Sequence, residues 1–158
     1  MSGKQEAVAE QPVKEGQTLY VDASGQIAGR LCSVVARELL SGKRVVVLNA
    51  EMALISGRRS TIFRQAHERL ELSSRVNPIN GPIHRRRPDS IIRRMVRGMV
   101  PKTKAKGELA MHRLRVYMGV PEKYSGMKTT KFDVAVAPRP PSLYTTIAEV
   151  SKNIGWSG

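Results

Sequence analysis

Thr18-Leu-Tyr-Val-Asp-Ala-Ser-Gly-Gln-Ile-Ala-Gly-Arg30 joins a short β-rich run to a turn and to the start of a helix. Leu19, Tyr20 and Val21 suit a pleated, half-buried surface, and Asp22-Ala-Ser-Gly25 is a turn signal. From Ile27 to Leu40 the apolar side chains repeat with helical period. Ile27, Leu31, Val34, Val35 and Leu39 share one sector, while Arg30, Ser33 and Arg37 fall outside it. Glu38 projects among the apolar positions, and periodicity supplies no partner for it. Ser41-Gly42 stops the helix. Arg44-Val-Val-Val-Leu48 is then a continuous apolar run, the pattern of a central parallel strand whose two faces are both buried. Strand, helix and strand make a βαβ unit, which predicts an α/β fold around a mostly parallel sheet.

Further along, Asn49-Ala-Glu-Met52 turns the chain and Ala53-Leu-Ile55 reads as another short strand. A polar helix is expected from about Arg59 to Ser73, and Asn77-Pro-Ile-Asn-Gly-Pro82 breaks it. His84 to Lys106 is a basic arm holding one short helix. A second helix, about Glu108 to Arg113, precedes a strand at Val116-Tyr-Met118. Residues 122–141 are rich in Lys, Thr, Gly and Pro and predict an extended surface segment. Thr146-Ile-Ala-Glu149 has capping-box spacing, and Gly155 stands where a helix end favours positive φ, so a short final helix is expected. The layout is a disordered tail over 1–17, an α/β body over 18–121 that includes the arm at 83–106, and an extended segment with a helix over 122–158.

A length of 158 residues fits one core plus tails. Hydrophobic residues make up 41% but are interrupted by charge every few positions, so no run approaches the roughly 18 residues that span a bilayer. The first residues lack the apolar core of a secretory signal. Cys32 is the single cysteine, which excludes an intrachain disulfide and leaves a zinc site short of thiolates. A soluble protein of the reducing cytoplasm is expected.

Charge narrows the function most. Lys and Arg number 27 against 13 Asp and Glu, a formal +14, which calls for a polyanionic partner. An anionic membrane is disfavoured, because no basic amphipathic helix carrying Trp or Phe and no lipidation motif stands out. Aromatic residues are only 4%, which favours contacts to phosphate, sugar and helix shape over base stacking. From Arg85 to Lys106 there are nine Lys or Arg against one acid, Asp89, a net +8 of the total +14. On a helix through Ser90 to Met99, Ile91, Ile92, Met95, Val96 and Met99 occupy a sector of about 140°, and Arg93, Arg94 and Arg97 an opposing one of about 100°. One face anchors and the other presents arginine, the cation best suited to bidentate phosphate contact.

Other motifs fall short of chemistry. Gly25-Gln-Ile-Ala-Gly29 sits where a dinucleotide-binding protein holds pyrophosphate, yet it is G-x-x-x-G and not G-x-G-x-x-G. Its glycines fit a tight turn and close packing, and Arg30 suits a phosphate contact at the helix N-terminus. Glu51 follows the second strand at the end where α/β enzymes place catalytic groups, but it lacks a paired acid or base, so a capping or turn role is expected. His67, His84 and His112 are too scattered to aim at one metal.

Val21-Asp-Ala-Ser-Gly25 with Gly29-Arg30, Asn49-Ala-Glu51, Ile55-Ser-Gly57, Gly81-Pro82-Ile-His84 and Val96-Arg-Gly-Met-Val-Pro101, followed by Gly107, occur in that order. In this the chain resembles the universal L-thirteen family of large-subunit ribosomal proteins, from about Leu19 to Pro121 with a continuation to Trp156. Ser41-Gly-Lys-Arg44 links the first helix directly to the second strand where bacterial members carry an insertion, and the arm reads Arg85-Arg-Arg-Pro88. Both resemble the archaeal and eukaryotic branch. The resemblance implies a three-layer α/β/α domain with four parallel strands near Leu19, Val46, Leu54 and Val116. It also implies a structural protein of the cytoplasmic ribosome, bound to large-subunit ribosomal RNA and to neighbouring ribosomal proteins, and entering assembly early. No catalysis, cofactor, metal, membrane or small-molecule substrate is implied. The expected RNA contacts are His84, Arg85, Arg86, Arg87, Arg93, Arg94, Arg97, Lys102, Lys104 and Lys106 in the arm, with Arg30, Lys43, Arg58 and Arg59 outside it. The competing readings are a nucleotide-dependent α/β enzyme built on the Gly25 turn, and a free regulator that binds messenger RNA.

Overall fold

The computed structural model describes residues 17–158, so of the tail expected over 1–17 only Gln17 lies among the described residues. β1 (Thr18–Asp22), α1 (Ala28–Leu40) and β2 (Arg44–Leu48) form the expected βαβ unit. β1 and β2 run parallel, Thr18 opposite Arg44 and Asp22 opposite Leu48. Leu114–Val116 adds on the far edge of β2, also parallel, with Val45 opposite Leu114. β2 is therefore central, and Val45, Val46, Val47 and Leu48 are all buried, which is why this run carries no polar alternation.

The strand near Leu54 sits differently from the expected fourth place in one parallel sheet. β3 (Leu54–Ser56) pairs antiparallel with a strand at Tyr144–Thr146. It reaches the βαβ unit through a single parallel bridge to Ile27 at the start of α1, where Leu54 N–H donates to the Gln26 carbonyl at 2.8 Å. Thr130 bonds the outer edge of β1, donating to the Tyr20 carbonyl at 2.8 Å and accepting from Asp22 N–H at 3.2 Å. In chain order the strand at Leu114–Val116, two residues upstream of the expected one, is β4, and Tyr144–Thr146 is β5.

α1 turns Leu31, Cys32, Val35 and Leu39 into the core. Glu38, unexplained by periodicity, pairs its carboxylate with Lys43 just past the helix end and lies 3.5 Å from the Arg37 guanidinium. α2 (Arg59–Glu71) buries none of its residues fully. α3 (Pro88–Met99) packs on α1 through Ile92 and Val96. α4 (Ala105–His112) follows so tightly that a Cβ on Gly107 would lie 1.9 Å from the Pro101 carbonyl oxygen, so this position requires glycine. α5 (Ile147–Asn153) starts with Thr146 Oγ1 accepting from Glu149 N–H at 3.2 Å and ends at Gly155 with φ of 89°, as the capping pattern predicts.

The segment 122–141 lies on the chain's own body. Tyr124 rests against Tyr20 and Tyr117 with ring centroids 5.6 and 5.4 Å apart. Ala135 accepts from Ile27 N–H at 2.7 Å. Among the described residues no helix is long and apolar enough to cross a membrane.

Candidate nucleic-acid interface

The carboxyl end of the parallel sheet is where an α/β enzyme would hold its chemistry. Here Asp22, Asn49 and Glu51 are engaged within the fold. Asp22 Oδ1 accepts from Asn49 Nδ2 at 2.8 Å and from Ser24 N–H at 3.0 Å, and its Oδ2 lies 3.2 Å from Lys131 Nζ. Burial alone would push this carboxyl's pKa up. The hydrogen bonds from Asn49, Ser24 and Lys131, with the lysine's charge, outweigh burial and hold it below the usual carboxylate value. Asn49 takes φ of 54°, a left-handed conformation that asparagine tolerates, and so brings its amide back to β1. Both oxygens of Glu51 accept the Gly119 N–H at 3.0 Å, which fixes the turn after β4. Glu51 thus has the turn role expected of it. Cys32 is no nucleophile either, because burial pushes its thiol up to about 12.

The arm is arranged the opposite way. α3 buries Ile92 and Val96 and half-buries Ile91 and Met95, while Arg93, Arg94 and Arg97 are exposed. Met99, expected on the anchoring face, is 44% exposed, and Val100 takes its place inside. The helix ends there, and the extended backbone of Val100 turns the next side chain inward. Pro88 starts α3 at a position that needs no N–H, and Asp89 in its first turn suits the helix dipole and lies 3.3 Å from Arg87.

The other expected contacts divide by surroundings. Arg85 and Arg93 show no ion pair among the described residues, and Lys102, Lys104 and Lys106 are exposed around the start of α4. Arg97 and Lys102 line one small cleft between α3 and α4. The Arg86 guanidinium stands 3.3 Å from where a Cβ on Gly155 would be, at the C-terminal end of α5, where a cation is favourable. Arg94 donates to the Ile83 carbonyl at 2.8 Å, and His84 Nε2 faces the Leu72 carbonyl at 2.9 Å. These two bonds fasten the loop before the arm. Arg58 is exposed at the start of α2, whereas Arg59 lies 3.4 Å from Glu149 and over the Phe63 ring. Arg30 reaches the Val134 carbonyl at 3.4 Å. Lys43 is drawn inward by Glu38, its side chain only 12% exposed, which leaves its ammonium little surface for an RNA contact.

One residue escaped the sequence reading. Arg69 on α2 lines the same groove as His84, Arg85 and Arg94. Arg69 flanks the apolar stripe of Ile62, Ala66 and Leu70, and only the packing of α2 beside α3 and α5 brings it to the groove with residues of the arm.

A family model for ribosomal protein L13 matches residues 16–123. The chain belongs to the ribosomal protein L13 family. Similar curated proteins named large ribosomal subunit protein uL13 include that of Archaeoglobus fulgidus, 41% identical over 140 residues, 87% of this chain and 88% of the relative. That of Methanococcoides burtonii is 43% identical over 136 residues, 85% and 96% of the two chains. That of Aeropyrum pernix is 41% identical over 145 residues, 91% and 94%. All three are archaeal, in keeping with the direct link between α1 and β2. Several of the residues that carry the L13 resemblance, Asp22, Asn49 and Glu51, are those that lock the carboxyl end of the sheet. None of these relatives is named as an enzyme.

Proposed function

We propose that this L13-family chain is a structural constituent of the large ribosomal subunit that binds large-subunit ribosomal RNA through the arm and enters assembly early. The observation that carries it is the division of α3, with Ile92 and Val96 fully buried on one face and Arg93, Arg94 and Arg97 exposed on the other. A helix anchored in this way holds its guanidinium groups at fixed spacing, which lowers the ordering cost of docking on folded RNA. Arg85, Lys102, Lys104 and Lys106 extend the same cationic surface and offset the repulsion between RNA segments brought together. Arg58 and Arg30 are secondary contacts, and neighbouring ribosomal proteins complete the surroundings.

If the arm neutralises six to nine phosphates, log K for large-subunit RNA falls with log salt at a slope of roughly −4 to −8. A slope shallower than about −2 removes the arm from this role. The protein is expected to sediment with the large subunit in moderate salt. A predominantly free pool that binds nucleotide or messenger RNA would reject the structural reading. In staged reconstitution, early action requires that late addition of the protein leave subunits incomplete.

A further inference from the structure

We propose that the groove between α2, α3 and α5, with the apolar loop 72–83 that borders it, docks a neighbouring protein through a segment carrying carboxylates beside large apolar side chains. This rests on the reading that the chain is assembled into the large subunit, and adds a protein partner to its RNA.

The groove has a volume of about 480 Å³, within the range of clefts that enclose a compact ligand. Its floor is aliphatic, formed by Ile62, Leu70, Ile91, Met95 and Val150, and its rim is cationic, formed by Arg69, His84, Arg85 and Arg94. No Asp or Glu lines it. The loop beside it exposes four large apolar side chains, Leu72 at 62%, Val76 at 98%, Ile79 at 92% and Ile83 at 67%. Four large apolar side chains exposed within the twelve positions 72–83 are more than the singly scattered exposures of an ordinary surface, which points to an interaction site.

The loop is also held in shape. His84 fastens it at Leu72, Arg94 fastens it at Ile83, and Asn77 Oδ1 accepts from Ile79 N–H at 3.2 Å. The apolar side chains are thus presented outward from a turn with defined bonds. RNA offers phosphates, ribose hydroxyls and base edges, which satisfy the arginine rim and leave the aliphatic floor and the loop bare. A protein segment with acidic and aliphatic residues satisfies both, by charge complementarity with Arg69 on the α2 side of the rim, which the RNA contacts of the arm leave free, and by burial at the floor.

The test replaces Ile79 with the photocrosslinker p-benzoylphenylalanine, assembles the protein into large subunits in cells, irradiates the purified subunits, digests the RNA and maps the adducts by mass spectrometry. The expected adduct is a ribosomal-protein peptide with Asp or Glu flanking large apolar residues. An adduct to nucleotides alone, a peptide without that pattern, or no protein adduct overturns the proposal. A second arm uses the surface double variant Val76→Ser with Ile79→Ser. It should bind isolated large-subunit RNA with unchanged affinity and salt slope. In competition with wild type for incorporation it should lose by roughly tenfold, the worth of burying one large aliphatic side chain. Weakened binding to isolated RNA would assign the loop to RNA and overturn the docking surface, leaving the RNA reading intact. A shallow salt slope in the wild type would sink the RNA reading without altering the crosslink.

Discussion

At the carboxyl end of the sheet, Asp22 and Glu51 spend their oxygens on Asn49, Ser24, Lys131 and Gly119, whereas in the arm Arg85 and Arg93 meet no carboxylate among the described residues. The first region resembles an enzyme's site by position and is closed by its own hydrogen bonds. The second is open, and its charge awaits a partner. A polar group paired within the fold contributes to stability and has little left for binding, while an exposed cation contributes little to stability and keeps its full value for a polyanion. Place in a fold therefore says less about function than whether the polar groups are already engaged.

Five variants test that contrast, ordered by how much each should destabilise the free protein. Ile92→Ala removes the buried anchor of α3 and should cost about 2–5 kcal/mol of unfolding free energy, measured by urea titration. A loss below about 1 kcal/mol would mean that the arm is not anchored through this side chain. Glu51→Ala leaves the Gly119 N–H without its acceptor and should cost about 1–3 kcal/mol, with Glu51→Gln recovering part of it. If Glu51→Ala is neutral, the closed region is not closed by Glu51.

Asp22→Asn should change how stability depends on pH. The folded carboxyl sits below its unfolded value of about 3.9, so the native state binds the proton less readily than the unfolded chain. Its contribution is present above that value and is lost as pH falls through the folded pKa. Melting temperature followed from pH 7 down to about pH 2.5 should show wild type above the variant at neutral pH and the gap narrowing in acid. A gap that widens in acid would contradict the pairing.

The smallest effect on stability belongs to Arg93, Arg94 and Arg97 changed together to Gln, expected within about 1 kcal/mol of wild type, because exposed charges contribute little and the bond lost is that of exposed Arg94 to the Ile83 carbonyl. The same variant should lower the magnitude of the salt slope for RNA binding by about 2 to 3. A triple variant that unfolds, or that binds RNA as tightly as wild type, would erase the distinction between an anchoring face and a binding face.

Features set by neighbours along the chain were legible in advance. The continuous apolar run at Arg44–Leu48 marks a strand buried on both faces, the three- and four-residue spacing in α3 separates Ile92 and Val96 from Arg93 and Arg97, and Thr146 with Glu149 caps α5. What only the tertiary structure decided involves residues far apart in sequence. Glu51 and Gly119 are 68 positions apart, Asp22 and Asn49 are 27 apart, and β3 pairs antiparallel with β5, Leu54 opposite Thr146. The groove at Arg69, Arg85 and Arg94 belongs to the same class, since only packing brings α2, α3 and the start of the arm together. Local periodicity follows from backbone geometry and the next few side chains, and so β1, α1, β2, the capped α5 and the arginine face of α3 were readable along the chain. Pairings across the fold exist only once packing has brought distant segments within hydrogen-bonding reach, and so the structure alone decided which charges are closed and which stay open.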